Sequence, residues 1–159
     1  IGDSAGGNLV LVTAQKLAAL KLPLPATLVC FSPVTDMTAE QLHTPAAGDP
    51  LLHPSWLESA RDSYCPAGLS RADAMVSPLY GQLKGLPPLL LQVGEDEVLL
   101  NDSLRLADAT RAAGMDVRLE RYAELWHVFQ AHAGLLQASN DALQRVVDFI
   151  DGAQADSVS

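Results

Sequence analysis

The chain has 159 residues, with 10 Lys+Arg against 19 Asp+Glu, a formal net charge of −9, 48% apolar and 18% charged residues. That is the size and make-up of one globular domain. An acidic chain with no basic cluster excludes nucleic acid and anionic membrane surfaces as partners, because both are bound through Lys and Arg that displace counterions from phosphates.

The longest apolar stretches, Leu86 to Val93 and Leu9 to Val12, fall far below the roughly 20 residues of a membrane-crossing helix. No membrane span is expected, and the composition suits a soluble, cytoplasmic protein. Cys30 and Cys65 form no disulfide framework and have no second Cys or His at metal-ligand spacing, so they read as packing residues in a reduced compartment, with no metal. The chain opens on Ile1-Gly2-Asp3-Ser4 without Met. It reads as the C-terminal part of a longer protein, and a signal peptide cannot be judged from it.

In chain order, short apolar runs alternate with longer helical patterns, the mark of a parallel sheet covered by helices. Ala5 to Leu20 predicts a helix with an apolar stripe at Leu9, Val12, Ala14, Leu17 and Leu20, ended by Lys21-Leu22-Pro23-Leu24-Pro25. Ala26 to Phe31 is a continuous apolar run, as a strand buried on both faces requires, and Ser32-Pro33 is a turn. Thr35 to Lys84, interrupted by five prolines, holds at most short helices such as Ser55 to Tyr64.

Leu89 to Val93 predicts the next strand. Asn101 to Ala113 predicts a helix with Asn101 or Asp102 as N-cap and Gly114 just past its end. Asp116 to Tyr122 alternates Val117 and Leu119 inward with Arg118 and Glu120 outward, as an edge strand with one wet face does. Such an edge could pair with a copy of itself, giving a homodimer through Asp116–Tyr122. Leu135 to Ile150 predicts the last helix. Residues 1–152 then form a partial catalytic domain of the α/β class, and 153–159 a polar tail.

Gly2-Asp3-Ser4-Ala5-Gly6 fits Gly-x-Ser-x-Gly and sits where a strand should turn into a helix. A serine on that turn has strained backbone angles, needs small neighbours and points its oxygen out of the sheet. A hydroxyl is a poor nucleophile at neutral pH, so the hypothesis demands a histidine base and a carboxylate to orient it. In the order Ser, Asp, His, both should follow later strands. Asp96 falls in Gly94-Glu95-Asp96-Glu97 directly after Leu89 to Val93, and His127 lies between the last strand and the last helix. Glu95 and Glu97 read more simply as solvated loop charges. His43, His53 and His132 read as surface or capping histidines.

With Gly2-Asp3-Ser4-Ala5-Gly6-Gly7-Asn8-Leu9, Ser77-Pro78-Leu79-Tyr80-Gly81, Leu86-Pro87-Pro88, Val93-Gly94-Glu95-Asp96-Glu97-Val98-Leu99-Leu100 and His127-Val128-Phe129, the sequence resembles the hormone-sensitive-lipase-like branch of the α/β-hydrolases. The resemblance implies Ser4 as nucleophile, His127 as base, Asp96 as its orienting acid and the Ala5 N–H as one oxyanion-hole donor. It also implies hydrolysis of short to medium carboxylic esters, small-molecule substrates, without a cofactor. In that branch a His-Gly-Gly-Gly type motif, earlier strands and part of a cap precede the nucleophile. They are not among these residues, so the chain alone is expected to be unstable and inactive. Two alternatives stay open: a peptidase or amidase with the same residue order, and a non-catalytic small-ligand-binding relative. Trp56 and Leu57 could line an acyl or alcohol pocket, though plain packing is the simpler reading of each.

Overall fold

The computed structural model describes residues 1–156. Four parallel strands, β1 (Gly2–Asp3), β2 (Leu28–Phe31), β3 (Leu89–Gly94) and β4 (Val117–Tyr122), lie side by side in chain order. Among the described residues four α-helices accompany them: α1 (Ala5–Ala19), α2 (Pro54–Tyr64), α3 (Leu100–Ala112) and α4 (Gln137–Asp156). This is the α/β arrangement expected of alternating strand and helix patterns.

Every residue of β3 is buried, which accounts for its nearly unbroken apolar run. Register places Cys30, Leu91 and Leu119 in one row across the sheet. On that face they meet Leu11 and Ala14 of α1 and Leu106 and Ala107 of α3, in one core. The alternate residues Val29 and Leu90 face the other way, against Val146 of α4. The sheet is thus covered on both sides by period-2 alternation meeting period-3.6 helices.

Several elements depart from the sequence expectation. The buried face of α1 runs through Gly7, Asn8, Leu11 and Ala14, whereas Leu9 is 53% exposed and Leu20 is also exposed. Apolar positions occur on more than one side of this helix, so its pattern alone does not choose the buried one. Glu120 does not face water: its carboxylate accepts from Gln92 Nε2 at 2.9 Å and from the Tyr122 hydroxyl at 2.8 Å. A strand face that looks polar is here half covered by α4. Helix α4 also runs through Gly152 to Asp156 rather than ending there, because the Ala and Gln residues around that glycine favour helix. The remainder of the expected tail, 157–159, lies outside the described residues.

The irregular segment and α2 build a small core of their own at the carboxyl ends of the strands, with Val34, Met37, Leu57, Val76, Val98 and Leu99 buried together. Asp102 ties this layer to α3. It does not cap the helix, whose N-cap is Leu99. Instead its Oδ2 accepts from the backbone N–H groups of Thr35 at 2.7 Å and Asp36 at 3.0 Å. Gly114, in contrast, does end α3 with φ +75°, as its position suggested.

Burial pushes the Asp102 carboxyl up to about 6, and the nearby Asp36 charge adds to this against the two backbone bonds. Asp36 itself is pushed up by burial, but bonds from Thr38, Arg105 and Tyr80 outweigh that and hold it below the usual range. A raised folded-state value means that Asp102 stabilises the fold below the unfolded-state pKa and loses that contribution as pH rises through about 6. Asp102→Asn keeps an oxygen for both backbone donors. Urea unfolding from pH 4 to 7 should show the variant gaining on the parent across this range, by up to about 3 kcal/mol. A constant difference across the range would contradict the assignment.

Candidate active site

Ser4 occupies the single-residue turn between β1 and α1, with φ 50° and ψ −117°. Its backbone is held from both ends. The N–H donates to Phe31 O at 2.8 Å, and the carbonyl accepts from Val34 N at 3.1 Å and Asn8 N at 3.2 Å. Such bonding maintains a strained conformation that a free chain would abandon. A side chain at Gly2 would collide with the carbonyl of Gly6, which is why the turn needs glycine there. Ala5 opens α1, so its N–H has no acceptor within the helix and lies beside the serine.

His127 arrives from the loop between β4 and α4. Asp96 N donates to Leu125 O and Glu95 N to Tyr122 O, both at 2.9 Å, mooring that loop to the segment after β3. Gly94 permits the approach, since a β-carbon there would meet the Leu125 carbonyl. The result is a His127 Nε2 to Ser4 Oγ distance of 3.0 Å. Two side chains 123 positions apart are thus in hydrogen-bond contact.

The acid facing the other ring nitrogen is Glu97, not Asp96. Glu97 Oε1 lies 3.3 Å from His127 Nδ1. Its Oε2 accepts from Ser32 Oγ at 2.6 Å and from Gly94 N at 2.9 Å. Glu97 has 0% exposure, so it is no solvated loop charge. Asp96 is partly exposed, and among the described residues its side chain makes no hydrogen bond or ion pair. Glu95 pairs with Arg121 at 2.8 Å. The physical reason is that a buried carboxylate settles where donors converge, and here they converge on residue 97. The sequence holds one faint signal: Glu97 adjoins Val98-Leu99-Leu100, all of which are buried.

The other histidines are elsewhere. His53 caps α2, with its Nδ1 3.3 Å from Ser55 N. His132 lies 3.3 Å from Phe129 O and stacks edge-on against Trp126. His43 donates its backbone N–H to Val98 O.

A cavity of about 390 Å³ opens beside Ser4, lined by Ala5, Val34, Met37, Trp56, Leu57 and Tyr64 among others. Trp56 and Leu57, read from the sequence more simply as packing residues, both border it. Cys30 is buried and its thiol pushed up to about 12 by that burial, so it is unreactive packing. Among the described residues no group of three or more His, Cys, Asp or Glu could hold a metal ion, and no helix is long and apolar enough to cross a membrane.

The α/β-hydrolase fold model matches residues 1–131. The chain belongs to the α/β-hydrolase fold family. This α/β-hydrolase chain is 35% identical to an acetyl-hydrolase of Streptomyces hygroscopicus over 99% of its own length and 53% of that protein. It is 32% identical to an esterase of Acinetobacter venetianus, covering 98% of the chain and 52% of the relative. Among solved structures, a hormone-sensitive lipase from a metagenome library superposes with TM-score 0.90 at 35% identity, covering 96% of this chain and 53% of that one. An esterase of the bacterial hormone-sensitive lipase family gives 0.87 at 38%, covering 94% and 50%. This α/β-hydrolase chain therefore spans about half the length of the proteins it matches.

Gly94→Ala should push the Leu125 carbonyl away and break the Asp96 to Leu125 bond. Amide exchange at Asp96 should then accelerate while the interior amides of β3 stay protected. Unchanged exchange at Asp96 would contradict this account of how the histidine loop is held.

Proposed function

We propose that the chain carries the nucleophile, base and orienting acid of a carboxylic ester hydrolase acting by acyl transfer, with Ser4, His127 and Glu97 in those roles. The observation that carries this reading is the 3.0 Å contact between Ser4 Oγ and His127 Nε2. A carboxylate can only accept, so Glu97 favours the tautomer with the proton on Nδ1, leaving Nε2 free to accept from the serine.

As Ser4 Oγ attacks the ester carbonyl, its proton passes to His127 Nε2, and the imidazolium is stabilised by Glu97. The oxyanion that develops is met by the Ala5 N–H at the positive end of α1. The alcohol leaves with the proton from Nε2. Water, deprotonated by the same nitrogen, then adds to the acyl-serine and releases the acid. The apolar lining beside Ser4 suits small to medium acyl or alcohol groups. The names of the acetyl-hydrolase and esterase relatives support the ester class. A base in contact with the hydroxyl favours an enzyme over a non-catalytic ligand-binding relative.

In a protein extended by the N-terminal half that its relatives carry, aryl esters of graded acyl length, matching anilides and a fluorophosphonate test the reading together. Ester turnover and a covalent adduct on the Ser4 peptide are expected, and both should vanish in Ser4→Ala. Undiminished turnover or labelling in that variant would end the nucleophile assignment, and faster anilide cleavage would favour a peptidase.

Glu97→Gln should lower kcat by about 10³- to 10⁴-fold, as misorienting the base does in other serine triads. Asp96→Asn should change it by less than about threefold, in line with its uncoupled position. The reverse order of effects would restore Asp96 as the acid.

A further inference from the structure

The carboxyl end of β2 touches every part of the site. Phe31 O holds the Ser4 backbone, and the next residue, Ser32, contacts both of the other elements. Ser32 has 0% exposure and φ +46°, a conformation costly for a residue with a β-carbon. Its N–H donates to Gln92 O of β3 at 2.8 Å. Its hydroxyl lies 2.6 Å from Glu97 Oε2 and 3.2 Å from the backbone nitrogen of Val128, the residue after His127. The partners fix the direction of both bonds. Glu97 can only accept and the Val128 N–H can only donate, so one hydroxyl serves as donor to the acid and acceptor from the base's loop.

We propose that Ser32 is a positioning residue, a single hydroxyl that locks the Glu97 carboxylate in register with the loop presenting His127. This rests on the acyl-transfer reading of Ser4, His127 and Glu97. Its contact to Glu97 leaves Oε1 as the oxygen facing Nδ1, while its contact to Val128 stops the histidine loop from sliding along the strand ends. Without the hydroxyl, Glu97 Oε2 retains only Gly94 N among these donors, and the Val128 N–H loses its acceptor. The left-handed backbone at Ser32 is the cost of aiming one small side chain at two elements.

The test compares Ser32→Ala, Ser32→Gly and Ser32→Cys, in the protein extended by the N-terminal half that its relatives carry, by ester kinetics, thermal melting and the downfield proton resonance of His127 Nδ1. In Ser32→Ala, kcat should fall roughly 10- to 100-fold, the scale brought by misplacing a reacting group by about an ångström. KM should stay within about twofold, since substrate does not touch Ser32. The Nδ1 resonance should move upfield or broaden. Ser32→Gly suits φ +46° yet should lose the same turnover, separating the hydroxyl from the backbone strain. Ser32→Cys, a weak donor, should recover part of it. In a Glu97→Gln background Ser32→Ala should add less than about threefold, because both act through one imidazole.

An unchanged resonance and kcat in folded Ser32→Ala, or the full loss repeated in the Glu97→Gln background, would overturn the proposal. Turnover surviving in Ser4→Ala would instead overturn the acyl-transfer reading, while the resonance still reports whether Ser32 holds Glu97 against His127.

Discussion

A carboxylate shut away from solvent is the constraint around which this structure is arranged. Burying the charge of Glu97 is expensive unless each oxygen finds a donor. The donors come from three separate stretches: the hydroxyl of Ser32 after β2, the N–H of Gly94 at the end of β3, and the imidazole of His127 after β4. Satisfying one side chain therefore pulls three strand ends into a common geometry. The imidazole is held on its far side by Ser4, so the same arrangement brings a hydroxyl and an imidazole nitrogen together.

The parallel sheet makes this convergence possible. All four strands point the same way, so all of their outgoing loops emerge at one edge, and residues more than a hundred positions apart in sequence become neighbours there. The strain this requires is confined to a few residues. Ser4, Ser32 and Val128 all have positive φ, and each lies at a strand end or in a loop that meets the site. Backbone of this kind persists where surrounding bonds over-determine it, as they do at Ser4 from Phe31, Asn8 and Val34.

The layer above the strand ends is built differently. It has little regular structure, yet its packing is specific. Asn8 donates to the carbonyls of Val34 and Val76 at 2.9 and 2.8 Å, and its Oδ1 accepts from the Tyr64 hydroxyl at 3.3 Å. One buried amide on α1 thus positions two loops and α2 over the serine. The shape of the cavity depends on these polar clamps as much as on the apolar side chains that line it.

The sequence by itself determined the class of fold, the strand positions, the turn at Ser4 and the place of His127 between the last strand and the last helix. Each of these is written in local pattern: a run of β-branched and leucine residues, a small-residue turn, a histidine between a strand and a helix. It also placed a carboxylate, Asp96, one residue from the Glu97 that faces the imidazole. Only the tertiary structure decided that Glu97 and not Asp96 faces the imidazole, that Leu11 rather than Leu9 lies inside, that Glu120 is covered, and that the Ser32 hydroxyl meets both Glu97 and Val128. In each case the deciding quantity is which way a side chain points relative to elements far away in the chain. Neighbouring carboxylates in a turn differ only in the donors that await them, and those donors are brought together by folding.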